Sequence, residues 1–276
     1  MKKTQTELSI LLAGMVIVCL LCIAPAMAQQ RFTISGAGLL TDLTEGFTKE
    51  YGKVAPKCSS VVFPATTGKG FRRFISGEAD MVMASRKMTD DEEKKAKAKG
   101  IAPEFKLMGR VCVAVITKAG NPVKELTMEQ LGKVFVGEIK NWKELGGADQ
   151  PIKVTTRAVP ETGTGVHFQK VVLKGAPYAP GHEVMPRYST TMTVCSKSNA
   201  IGYVPASSGS FYKGKESVDV IGIKADADSK AVFPKYGVAK TSDYPVTIPF
   251  YFYWNSKSDK VKCLSGFAEF AAGRVK

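Results

Sequence analysis

Between Arg157 and Phe168 the chain reads Arg-Ala-Val-Pro-Glu-Thr-Gly-Thr-Gly-Val-His-Phe, a set of side chains suited to holding an oxyanion where a helix begins. Arg157 supplies countercharge and a fork of donors. Thr162 and Thr164 offer hydroxyls, and Gly163 and Gly165 let the backbone come close to a ligand. Val166, Phe168, Val171 and Val172 then read as one buried helix face. The first turn of such a helix leaves N–H groups unpaired, and its macrodipole favours a bound anion. A polar turn before any helix has a similar composition, so the surrounding elements must decide. His167 reads as a packing or surface residue rather than a ligand.

The elements that would position this stretch alternate between strand-like and helix-like runs. Residues 32–35 are β-type, Gly36-Ala37-Gly38 breaks them, and Leu39, Leu40, Leu43, Phe47 and Tyr51 recur at helical spacing. Residues 60–63 repeat the strand, 66–70 read as a polar loop, and Phe71, Phe74 and Ile75 start a helix that Gly77 ends. Residues 79–84 read as a buried strand, 90–99 as a charged helix, and 111–116 as an apolar strand crossing between two domains. Thr127 and Gln130 form a capping box ahead of Leu131, Val134 and Phe135. Residues 151–156 then form a strand that delivers Arg157 at its carboxyl end, where α/β sheets bind ligands. A return crossing is expected near 201–204.

Lys2 and Lys3, the apolar run 10–23 and Ala26-Met27-Ala28 read as an export signal cleaved after Ala28. The run falls short of the roughly 18 residues of a membrane span, and Pro25 interrupts what would continue it. The formal charge of +14 admits small anions and polyanions as partners. Lys94, Lys95, Lys97 and Lys99 lie on a solvated helix face without interleaved aromatics, which argues against nucleic acid. Past the cleavage site stand Cys58, Cys112, Cys195 and Cys263; in an oxidising compartment one or two disulfides are expected, with three complete pairings open. Their wide spacing, with His167 and His182 the only histidines, points to no metal, and no cofactor is expected.

A further series of motifs runs in order: Asn121-Pro-Val, Leu126-Thr-Met-Glu-Gln-Leu131, Phe135-Val-Gly-Glu-Ile139, Asn141-Trp142-Lys-Glu-Leu-Gly-Gly147 and Pro151-Ile, followed by Arg157. Ser35-Gly-Ala-Gly38, Ala84-Ser85-Arg86, Asn199-Ala-Ile-Gly-Tyr203 and Tyr244-Pro-Val-Thr-Ile-Pro249 flank them. This ordered set, from about Ile34 to Ala271, resembles the phosphate-binding protein family of bacterial phosphate ABC transporters, within the type II periplasmic solute-binding fold. The resemblance implies an α/β fold of two lobes, each a mostly parallel sheet flanked by helices, with 29–115 plus 205–276 as one lobe and 116–204 as the other. It implies a dehydrated anion held by Gly38, Leu39, Leu40 and Thr41, by Thr66, Thr67 and Gly68, by Ser85 and Arg86, and by Arg157, Thr162, Gly163 and Thr164.

Three positions depart from the family's pattern. Leu39-Leu40 stands where many members have a hydroxyl residue, and Arg86 where some have an aspartate that accepts the proton of hydrogen phosphate. Arg157 is one residue further from Thr162 than usual, and Glu161 replaces a glycine, either as a proton acceptor or as a solvated turn residue.

The implied protein is a binder and not an enzyme: periplasmic or otherwise exported, a monomer, closing on inorganic phosphate and docking on a membrane-embedded ABC permease. Another oxyanion or a phosphorylated metabolite is the alternative ligand. An exported phosphatase-like enzyme is the rival class, and the sequence offers it no Ser-His-Asp order or close pair of catalytic carboxylates.

Overall fold

Strand β1 (Gln30–Ala37) leads through a 3-10 turn, Gly38–Leu40, into α1 (Thr41–Val54), and β2 (Cys58–Ala65), α2 (Thr67–Ser76), β3 (Met81–Ala84) and α3 (Asp90–Ala98) follow. β2 and β3 both pair parallel with β1. The rest of the chain runs β4 (Pro103–Lys118), β5 (Glu125–Thr127), α4 (Met128–Val136), β6 (Lys153–Thr156), α5 (Gly163–Val172), β7 (Glu183–Val184), α6 (Tyr188–Lys197), β8 (Ala200–Pro205), α7 (Gly209–Gly214), β9 (Val218–Lys224), β10 (Val238–Ala239), β11 (Thr247–Asn255) and α8 (Val261–Arg274). This computed structural model describes residues 29–159, 162–240 and 242–275. The expected cleavage site and Glu161 lie outside the described residues.

β4 organises the whole sheet. Its residues 103–112 pair antiparallel with β11, 113–117 with β8 and 115–118 with β9. The spatial order is β2-β1-β3-β11-β4-β8-β6-β7, and β6 is parallel to both β8 and β7. Two parallel flanks are thus joined through an antiparallel middle, which gives a two-lobed mixed α/β fold. The expected strand 111–116 is only the fully buried stretch of β4. Its first half mixes charged and apolar residues and is partly exposed, and it is a strand because β11 pairs with it. β9 joins β5 and the second half of β4, so residues 218–224 lie beside elements of 116–204 although they follow residue 205.

One large core lies along β1, β4, β8 and β11, with Phe32, Ile34, Val115, Tyr203, Phe250 and Phe252 all essentially inaccessible. A smaller cluster of Phe71, Phe74, Val82, Ala84 and Tyr253 packs α2 against β3. Cys58 and Cys263 are disulfide-bonded with Cα atoms 5.6 Å apart, tying edge strand β2 to α8 across 205 residues. Cys112 and Cys195 are free and buried, so the chain carries one of the expected bridges.

Local chemistry sets the helix starts near the cleft. The expected loop 66–70 is instead the first turn of α2: Thr66 is its N-cap and accepts from the Lys69 N–H at 3.2 Å, which lets the helix begin at Thr67. Gly70 makes this possible, because a Cβ there would lie 2.7 Å from the Gly36 Cα and 2.9 Å from the Ser35 carbonyl oxygen. α4 starts at the anticipated capping box of Thr127 and Gln130, and α3 has one of its own, made by Thr89 and Glu92.

Candidate functional site

A cavity of about 390 Å³ opens where the carboxyl ends of β1, β2 and β6 meet the starts of α2 and α5. Gly38, Leu39, Thr66, Thr67, Arg157, Thr162, Gly163 and Thr164 line it, so eight of the sequence-derived residues converge although they come from three distant segments. A second hollow shares Thr66, Thr67 and Gly163 and continues to Gly68, Ser85, Arg86, Val166, His167 and Lys170.

Arg157 follows the last residue of β6, and its backbone is held by a relay of hydroxyls. Its N–H donates to the Tyr203 hydroxyl at 3.1 Å, Tyr203 lies 2.9 Å from the Tyr178 hydroxyl, and Tyr178 donates to the Gly165 carbonyl at 3.1 Å. Since Tyr203 accepts from Arg157 and Tyr178 gives its proton to Gly165, Tyr203 donates to Tyr178. Burial pushes the Tyr203 phenol up to about 12, so it stays protonated and able to do so. The Tyr203 ring also stacks on Phe168 of α5, with centroids 4.0 Å apart. Gly165 completes the joint, for a Cβ there would approach the Arg157 carbonyl oxygen and the Thr162 hydroxyl to 2.8 Å.

The Arg157 guanidinium has an incomplete set of partners. Nη1 donates to the Met185 carbonyl, and Cζ sits 4.7 Å from the centre of the Tyr188 ring. Nε is buried and has no partner among the described residues. Arg157 lines the cavity, and its buried Nε is a donor left without an acceptor. Thr162 caps α5 by accepting from the Gly165 N–H at 3.2 Å while its own proton goes to the Ala158 carbonyl at 2.7 Å. Thr164 is 2.7 Å from the Tyr188 hydroxyl.

On the facing wall the buried Thr67 hydroxyl accepts from the Ser85 N–H at 3.1 Å and lies 2.9 Å from the Ser85 hydroxyl. One bond between two hydroxyls uses one proton, so the pair keeps another for a ligand. Gly68, Ser85 and Arg86 line the second hollow rather than the main cavity. Arg86 is engaged elsewhere: Nη1 and Nη2 fork onto Glu92 at 2.7 and 2.8 Å, and the Phe71 ring lies 5.3 Å away. Leu40 is fully buried in the core, and the Thr41 hydroxyl is buried without a partner among the described residues; neither lines the cavity.

Sequence reasoning missed Asp42, Arg187, Tyr188, Ser208 and Ser210, which also line the cavity. Asp42 is the sole carboxylate among the described lining residues, and its Oδ2 accepts from the Gly209 N–H at 2.6 Å. It sits one residue past the first anion loop, the only local signal that could have found it. The segment 185–189 carries no glycine at its helix start, and 208–210, where Ser208 caps α7 ahead of Gly209, lies far along the chain from the other site residues.

The PBP superfamily domain family matches residues 24–275. The phosphate-binding protein PstS of Staphylococcus epidermidis is 28% identical over 240 residues, covering 85% of this chain and 72% of that protein. PstS of Bacillus subtilis is 26% identical over 266 residues, covering 89% and 82%. Among solved structures, a phosphate ABC transporter substrate-binding protein from Clostridium perfringens with bound phosphate superimposes with a TM-score of 0.67 at 22% identity, covering 87% of this chain and 92% of its own.

Proposed function

The chain belongs to the PBP superfamily, and from that premise we propose that it is an exported solute-binding protein that captures inorganic phosphate between two lobes and delivers it to an ABC permease. Its relatives named phosphate-binding protein PstS support this reading over the whole fold. The observation that carries it is Arg157, an arginine that lines the cavity, forms no ion pair among the described residues and keeps a buried Nε without an acceptor. Leaving such a donor unmade costs about 1–3 kcal/mol, a cost that a bound anion removes. Two helix starts and the spare hydroxyl proton of Thr67 and Ser85 add donors around the same space.

Asp42 supplies what the donors cannot. A carboxylate accepts a hydrogen bond from a protonated phosphate oxygen, whereas sulfate at neutral pH has no proton to give and is repelled. We assign the lobes as 29–115 with 205–276 and as 116–204, β9 adding to the second through its pairing. Ligand binding then adds contacts across the cleft and shifts a hinge equilibrium towards closure, with no bond made or broken. The protein acts as a monomer outside the cytoplasm, after cleavage near Ala28.

A thermal-shift series on protein refolded to strip bound ligand tests the proposal. Phosphate at a hundredfold excess over Kd stabilises a ligand-binding protein by about 2.7 kcal/mol. At about 2–4 °C per kcal/mol for a chain of this size, the melting point rises by about 5–10 °C. Sulfate at the same concentration produces a smaller rise. No shift with phosphate, arsenate or sulfate up to millimolar concentration overturns the reading.

A further inference from the structure

Helix α6 is not one of the glycine-bearing anion loops, yet its first residue touches two of the groups that face the cavity. The Tyr188 ring lies beneath the Arg157 guanidinium, 4.7 Å from centroid to Cζ, and its hydroxyl is 2.7 Å from Thr164 Oγ1. Arg157 belongs to the end of β6 and Thr164 to the first turn of α5. The segment before Tyr188 adds to the grip: the Met185 carbonyl takes an Nη1 proton of Arg157, and the Met185 N–H donates to the Thr156 carbonyl at 2.8 Å.

We propose that Tyr188 is a positioning residue that pre-organises the anion seat, holding the Arg157 fork and the Thr164 hydroxyl in their binding geometry before the ligand arrives. The inference rests on reading this cavity as an oxyanion seat. Ring and carbonyl together fix the guanidinium on one face and at Nη1, so its position on the cavity wall is set without any carboxylate among the described residues. The phenol is the more acidic of the two hydroxyls, so Tyr188 donates and Thr164 accepts, and the Thr164 proton remains for the anion. Burial holds the phenol above its usual value, so it keeps its proton across the physiological range. A seat fixed in this way spends little binding energy on ordering a long arginine side chain.

Calorimetry with inorganic phosphate on the mature protein tests this through a double-mutant cycle. Tyr188→Phe keeps the ring and loses the hydroxyl, and it weakens phosphate binding about tenfold, as expected for one lost hydrogen bond in a charged network. In a Thr164→Val background the hydroxyl has nothing to orient, and the same change then costs less than about twofold. Tyr188→Leu also loses the face that carries Arg157 and weakens binding about a hundredfold. A role in folding alone would lower the ligand-free melting point without this coupling. Equal penalties for Tyr188→Phe in both backgrounds, or Tyr188 variants that bind like wild type, overturn the proposal while leaving the oxyanion reading intact. Wild-type protein that binds no oxyanion overturns both.

Discussion

Two strands of this sheet end beside an arginine at the cleft, and the two guanidiniums have opposite fates. Arg86, two residues past β3, puts both terminal nitrogens onto Glu92, which is itself fixed as a member of the capping box of α3. Arg157, one residue past β6, meets a neutral carbonyl and an aromatic face and forms no ion pair among the described residues. The first charge is neutralised by the helix that follows it. The second is kept for something that is not protein. An arginine at the carboxyl end of a strand is thus ambiguous until its carboxylates are located, and here a single helix start decides the matter.

Arg157→Ala is the most severe way to test this contrast. It removes two hydrogen bonds to a charged ligand, worth roughly 1.5–3 kcal/mol each in a dehydrated site. At about 1.4 kcal/mol per decade, phosphate affinity falls by about two to four decades, while the exposed Lys69→Ala stays within one. Calorimetry on both folded variants checks it; Arg157→Ala binding like wild type would mean that the seat lies elsewhere.

Asp42→Asn sharpens the contrast from the acidic side. It keeps an oxygen able to accept from the Gly209 N–H but removes the negative charge facing the cavity. The preference for phosphate over sulfate should narrow by about one decade, mainly through tighter sulfate binding, since like-charge repulsion is relieved. Competition between the two anions measures it, and an unchanged ratio removes Asp42 from selectivity.

How much of this was legible follows from where each feature is encoded. The α5 start was readable because Thr162, Gly163 and Thr164 are consecutive and followed by an apolar helix face, and the Thr127–Gln130 box because capping is a three-residue event. The fate of Arg86 was nearly readable, with Glu92 only six residues on, but nothing in the spacing says that the helix start at Thr89 turns Glu92 back onto it. Tyr188 and Arg187 had no local signature; they reach the cavity because β7 pairs with β6. The first half of β4 was invisible for a related reason: only its partner β11 makes this partly exposed stretch of mixed polarity extended. The Cys58–Cys263 pairing depends on β2 and α8 meeting across the whole chain, and no spacing rule selects it from three.

Arg86→Ala should show the other half of the contrast, a structural loss with little effect on binding. The Arg86 side chain is 42% exposed, so solvent screens the Glu92 pair and the loss of stability is about 1 kcal/mol. That corresponds to a melting point lower by about 2–4 °C. Phosphate affinity should change by less than about one decade, because Arg86 does not line the main cavity and solvent screens its half-exposed position. A binding defect as large as that of Arg157→Ala would show that the ion pair opens when ligand enters, and the two arginines would then be alike.

The smallest effect is expected at His167, which lines the same hollow as Arg86 and tests whether that end of the cleft is structural throughout. Its Nε2 lies 2.7 Å from the Thr247 carbonyl oxygen, which can only accept, so the ring is the neutral tautomer protonated at Nε2. Burial, with further repulsion from Arg110 and Lys170, holds its pKa below the usual 6.5 despite that hydrogen bond. A base with a depressed folded pKa binds fewer protons when folded than when unfolded, so stability falls as pH drops below about 6.5 and levels off under the folded pKa. The slope in that window is at most about 1.4 kcal/mol per pH unit, and His167→Gln, which keeps a donor for Thr247, should flatten it. Denaturation midpoints between pH 5 and 7 read this directly, about the window set by the usual histidine value. Phosphate affinity at pH 7 should stay within about twofold of wild type, since the neutral ring adds no charge to the seat. A variant that keeps the wild-type slope would place the titration elsewhere. One that loses phosphate binding would make His167 part of the seat, and with it the end of the cleft that Arg86 occupies.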